Sequence, residues 1–115
     1  MPPRIDRYAF GTITIDGTTY RSDVVVLPDR VVSDWWRHES HALAVEDLSD
    51  ILAEPPDVLV VGTGASGLMR VSGSTLAALE ARGVEVVVEP TEKAVRTYNR
   101  LAGERQAAAC LHLTC

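Results

Sequence analysis

Val58-Leu59-Val60-Val61-Gly62-Thr63-Gly64-Ala65-Ser66-Gly67 decides the fold class of this chain. Four consecutive apolar residues read as a strand buried on both faces, and the strand runs straight into a glycine-rich loop. Downstream, Ser74 offers an N-cap for a helix over Thr75 to Arg82, which Gly83 stops. Val84 to Val88 predicts the next buried strand. Thr91 caps a further helix whose Ala94, Val95, Tyr98, Leu101 and Ala102 form an apolar stripe, with Glu92 and Arg96 paired on the outer side; Gly103 ends it. The final strand is Ala107 to about Leu113. Strand, helix, strand, helix, strand in this order predicts parallel pairing with right-handed crossovers.

Upstream, Phe10 to Asp16 alternates apolar and polar residues, and Asp16-Gly17 suits the tight turn of a hairpin. Its second strand extends from about Thr18 to Leu27, closed by Pro28-Asp29. Val31 to His41 reads as strand end plus loop. Val45, Leu48, Ile51 and Leu52 fall at helical spacing over Val45 to about Ala53, and Pro55-Pro56 ends that helix. The expected fold is α/β: one three-layer domain over residues 1–115, its mixed central sheet built from an N-terminal β-hairpin followed by a βαβαβ unit. The pattern does not fix whether the hairpin joins the central sheet or crosses it.

At 115 residues the chain has room for one domain of ordinary size. Its 46% hydrophobic and 23% charged content is that of a globular protein. No apolar run approaches the ~20 residues that span a bilayer, and the first residues lack the apolar segment of a secretory signal, so the expected location is the cytoplasm. Sixteen acids against eleven bases, a net charge of -5, exclude nucleic acid and anionic membranes as natural partners. Cys110 and Cys115 would close only a tiny loop, so both are expected as reduced thiols. A monomer or small homo-oligomer fits the length.

Gly62-x-Gly64-x-x-Gly67 matches the dinucleotide pattern literally. However, Leu68 to Gly73 separates it from the next helix, so a phosphate would miss the helix N-terminus. Glu89, the acid that would meet a ribose, comes 27 residues after Gly62 rather than the usual ~20. No cofactor is expected. Two readings of the loop stay open: a sharp turn that needs glycines, or a cradle of backbone N–H groups for a small anionic metabolite. The second would use Gly62, Thr63, Gly64, Ser66 and Gly67, with Glu89 and Thr91 on the same edge and Arg37 as an anion contact. Trp35-Trp36-Arg37-His38, followed by His41, offers an interaction surface, with one indole expected in the core and the other in solvent. The spacing of His38, His41 and His112 gives no zinc pattern, and no nucleophile with a base emerges, so the leaning is away from catalysis.

The succession Val60-Val61-Gly62-Thr63-Gly64, Thr91-Glu92-Lys93-Ala94 with Tyr98-Asn99-x-Leu101, and His112-x-Thr114-Cys115 resembles one family. It is the domain of unknown function shared by the adipogenesis-associated domain protein and the mitochondrial complex I assembly factor three type. Phe10-Gly11 and Trp36-Arg37 also fit, so the resemblance covers nearly the whole chain. It implies a compact three-layer domain with a mixed sheet, a glycine motif not known as a nucleotide site, and no established activity. Through the branch associated with assembling a respiratory complex, it implies a protein-interaction role. The expectation is therefore a non-catalytic binding or assembly-helper module, with the small-metabolite domain built on Gly62–Gly67 as the alternative.

Overall fold

Three apolar runs, Val24–Leu27, Val58–Gly62 and Ala107–Leu111, are buried at every position and lie side by side in the central sheet. The computed structural model describes residues 2–37, 39 and 41–115. Its strands are β1 (Ile5–Ala9), β2 (Thr12–Ile15), β3 (Thr18–Tyr20), β4 (Val24–Leu27), β5 (Arg30–Val32), β6 (Ala42–Leu43), β7 (Val58–Gly62), β8 (Arg70–Val71), β9 (Glu85–Glu89) and β10 (Ala107–Leu111). Helices α1 (Ser49–Ala53), α2 (Gly73–Ala81) and α3 (Thr91–Ala102) complete the fold. The central sheet has the order β5-β4-β10-β7-β9. Strand β10 is parallel to β7 and antiparallel to β4, so the sheet is mixed.

Burial on both faces explains why these runs are apolar at consecutive positions, since successive side chains point to opposite sides. Val24, Val26, Val58, Val60, Ala107 and Ala109 belong to one core layer with Ala94, Val95 and Tyr98 of α3. Val25, Leu27, Leu59, Val61, Ala108 and Cys110 belong to the other, with Ile51 of α1 and Leu79 of α2. The three layers are the expected ones. The N-terminal hairpin neither joins the central sheet nor stands apart from the core. It forms its own three-stranded sheet, β1-β2-β3, whose Ile5, Ile13 and Ile15 close the α3 side. Asn99 clasps it by accepting the Ile5 amide at 3.0 Å and donating to the Ile5 carbonyl at 2.8 Å. Tyr98 donates its hydroxyl to the Pro3 carbonyl at 2.8 Å, and burial raises its pKa above the usual tyrosine value.

The structure corrects several boundaries. Thr18 to Leu27 is two strands in two sheets, because the chain leaves the hairpin at Arg21-Ser22 to enter the central sheet. β1 pairs with β2 and has no counterpart in the sequence reading. Ser72, not Ser74, caps α2, accepting the Thr75 amide at 3.2 Å. Thr91 is the first residue of α3 rather than its cap. Residues Val45–Leu48 form a 3-10 turn that leads into the short α1. β9 is a half-exposed edge strand, not a buried one, because β7 pairs with it on one side only. Asp16 and Gly17 take the expected positive φ values, 48° and 82°. Among the described residues no helix is long and apolar enough to cross a membrane.

Candidate functional site

The antiparallel register of β4 and β10 places Val24 opposite Leu111. One step further along both strands, Asp23 and His112 face each other on the side that carries Val25 and Cys110. Asp23 Oδ2 lies 2.8 Å from His112 Nδ1, and Asp23 Oδ1 accepts the Leu113 amide at 2.8 Å. From the segment after β5, Arg37 Nη2 donates to the same Oδ2 at 2.8 Å. His112 Nδ1 lies within hydrogen-bond distance of both Asp23 Oδ2, to which it would donate, and Arg37 Nη2 at 3.1 Å, from which it would accept. Its other ring nitrogen, Nε2, is buried with no hydrogen-bond partner among the described residues. The three side chains are withdrawn from solvent, with exposures of 16% for Asp23, 3% for Arg37 and 6% for His112.

Local structure explains how Arg37 arrives there. The Trp35 amide donates to the Asp23 carbonyl at 2.9 Å, and its indole Nε1–H donates to the Asp47 carbonyl at 2.9 Å. With the Trp35 ring fixed, the Arg37 guanidinium carbon sits 4.6 Å from its centroid, a cation–π contact in a desolvated setting. The His41 ring meets His112 edge-on at 5.5 Å between centroids. A cavity of about 300 Å³ opens beside this cluster, with Arg21, Ser22 and Trp36 among its lining.

The structure therefore divides the aromatic segment. Trp36 is 81% exposed, whereas Trp35 is buried, the split that the sequence predicts. As surface candidates, Trp35 and Arg37 are corrected: their side chains face inward and support the surface rather than form it. His41 is exposed, and His38 lies outside the described residues. No residue from 62 to 67 lines the cavity that Arg37 lines.

The loop's own N–H groups are largely spent within the chain. Thr63 N donates to the Glu89 carbonyl at 2.9 Å, Gly64 N to Thr91 Oγ1 at 2.8 Å and Ala65 N to the Thr114 carbonyl at 2.7 Å. Gly67 N donates to the Gly64 carbonyl at 3.2 Å. The segment after β10 thus occupies the place where a cradled anion would sit. Thr91 Oγ1 donates in turn to the His112 carbonyl at 2.6 Å, and Thr63 Oγ1 to the Glu89 carbonyl at 3.2 Å. The Glu89 carboxylate is taken by Thr97 Oγ1 at 2.7 Å and Lys93 Nζ at 3.5 Å, while Ser66 and Gly67 are exposed. Of the two readings of the loop, this geometry favours the turn that needs glycines.

Sequence reasoning missed Asp23 and Arg21 and met His112 as a poor metal ligand and as the first residue of the His112-x-Thr114-Cys115 motif. The signal for Asp23 and His112 is a polar residue abutting each of two fully apolar runs, and only the strand register shows that they meet. Among the described residues no group of three or more His, Cys, Asp or Glu is placed to hold a metal ion. Both cysteines are free, Cys110 buried and Cys115 exposed. Desolvation pushes the Cys110 thiol up to about 12, with the Arg37 charge only partly opposing it. In a thiol titration of the native protein, Cys115 should react at once and Cys110 only after denaturant is added. Rapid reaction of both without denaturant would contradict the buried position.

A mixed sheet covered on both faces, with a glycine loop sealed by the chain that follows its central strand, defines a small three-layer α/β domain of distinct topology. The chain belongs to the family described as protein of unknown function (DUF498/DUF598), whose model matches residues 5–112. It is 39% identical over 98 residues to a Danio rerio protein named NADH dehydrogenase (ubiquinone) 1 alpha subcomplex assembly factor 3, a match covering 83% of this chain and 55% of that one. The Homo sapiens protein of the same name is 34% identical over 103 residues, covering 87% and 54% respectively. The chain thus spans about half the length of the curated relatives it matches. A conserved hypothetical protein from Pyrococcus horikoshii has the same fold, with a TM-score of 0.83, 30% identity and coverage of 97% of this chain and 99% of that one. These findings agree with the resemblance carried by the Gly62–Gly64, Thr91–Leu101 and His112–Cys115 motifs.

Proposed function

We propose that this domain is a non-catalytic binding module that helps a protein assembly form, with Trp36 at the centre of its docking surface. The presentation of Trp36 carries the reading. Its indole is exposed, yet it stands between Trp35 and Arg37, both of which are anchored in the interior. A large aromatic side chain on a fixed base loses little freedom when a partner covers it, which is how interface anchors work. The names of the Danio rerio and Homo sapiens relatives support an assembly role. The net charge of -5 supports protein rather than nucleic acid or anionic membrane as the partner. Both thiols are unpaired, as a reducing compartment such as the cytoplasm would keep them.

Affinity capture from native lysate with wild-type and Trp36→Ala baits tests the reading. Proteins bound through this surface should fall at least about tenfold in yield with the variant, as for loss of a hot-spot aromatic. The variant itself should keep its stability within about 0.5 kcal/mol, since an exposed side chain is removed. Equal recovery of the same proteins by both baits would sink the proposal.

A further inference from the structure

We propose that the cavity beside His112 binds a small monocarboxylate with a flat apolar body, its carboxylate on Arg21 and its body against Trp36. The cavity of about 300 Å³ is at the lower end of ligand-pocket sizes and about twice the ~150 Å³ that holds a benzene ring. One ring with a short acidic substituent matches that space.

Charge selects the ligand class. Within the lining, Arg37 and Asp23 neutralise each other at 2.8 Å. Arg21 makes no ion pair among the described residues, so the site keeps one positive charge in a molecule whose net charge is -5. A monoanion balances it. A phosphate dianion would bring a second negative charge towards the Asp23 carboxylate, and a neutral ring would leave the guanidinium unused. The Ser22 hydroxyl, next to Arg21 in the lining, supplies a further donor for a carboxylate oxygen. The aromatic walls of Trp35 and Trp36 suit the apolar body.

The floor has the character of a built site. A buried ion pair contributes little to stability compared with apolar residues of the same volume, so stability does not explain Asp23, Arg37 and His112 at this point. That fits a polar floor kept for a ligand.

The inference goes beyond the docking reading, and its test uses the isolated chain, so either can fail alone. Trp35 and Trp36 are the only two tryptophans of the sequence, and both line the cavity, so indole fluorescence reports on this site. Benzoate is the probe, with excitation at the red edge of the indole band. Benzyl alcohol, acetate and inorganic phosphate at equal ionic strength are the controls. Benzoate should give a saturable change in emission, and each control should bind at least about tenfold more weakly. Arg21→Gln, an exposed substitution whose fold circular dichroism would verify, should weaken benzoate by at least about tenfold. No saturable change with benzoate, an unaltered affinity in Arg21→Gln, or phosphate binding as tightly as benzoate would each overturn the proposal.

Discussion

Asp23→Ala should lower the free energy of unfolding by about 3–5 kcal/mol, because it leaves the Arg37 guanidinium buried without its carboxylate. The substitution also removes the acceptors of the Leu113 amide and of His112 Nδ1. Small domains have only about 5–15 kcal/mol to lose, so the variant should be marginal at 37 °C. Urea unfolding measures the effect as a fall in midpoint at unchanged slope. The double variant Asp23→Ala, Arg37→Met should recover part of the loss, since the buried charge that faced Asp23 goes with it. A loss below about 1 kcal/mol for Asp23→Ala would show that water reaches Arg37 and that the cluster is not a buried one.

Gly64→Ala should be comparably severe, at about 3–5 kcal/mol. Gly64 has a φ of +105°, where a side chain is strained whatever the space around it. A Cβ here would also overlap the Cys115 carbonyl group and come within 2.7 Å of the Thr114 carbonyl oxygen. Backbone cannot swing aside as a flexible side chain does, so the segment after β10 must lift away. Lifting it breaks the Ala65 N–H bond to Thr114 and the Leu68 N–H bond to Cys115. Hydrogen exchange should therefore quicken at Ala65 and Leu68 in the variant. Gly73→Ala is the contrast: nothing lies within 4 Å of its added Cβ, and the residue opens α2, so stability should hold or rise slightly. Equal stability of the Gly64 and Gly73 variants would remove the basis for a sealed loop.

What the sequence made legible was whatever local periodicity encodes. Val58–Val61 and Ala107–Leu111 are apolar at successive positions because both faces are covered, and the turn at Asp16-Gly17 follows from its residue types. The same logic misled at Val86-Val87-Val88, where an apolar run occupies an edge strand with Val88 exposed. Thr18 to Leu27 read as one strand because the step from one sheet into another leaves no periodic mark; Arg21-Ser22-Asp23 is the interruption. The N-cap moved from Ser74 to Ser72 because Gly73, which looked like loop, opens the helix. At the candidate site, the split of Trp35 from Trp36 was legible, but the meeting of Asp23 with His112 was not. That meeting depends on long-range register between residues 89 apart in the chain.

Strand β10 lies at the middle of the central sheet but is the last of its strands to be made. A nascent chain that has emerged only to α3 holds two half-sheets, β5-β4 and β7-β9, each with an open apolar edge and no partner for it. Until residues 107–111 leave the ribosome, those edges are templates for wrong pairing. The long-range pairings that β10 completes also make closure slow by the usual dependence of folding rate on topology. The domain therefore folds late and all at once, and its need for protection falls in the interval before its final strand arrives.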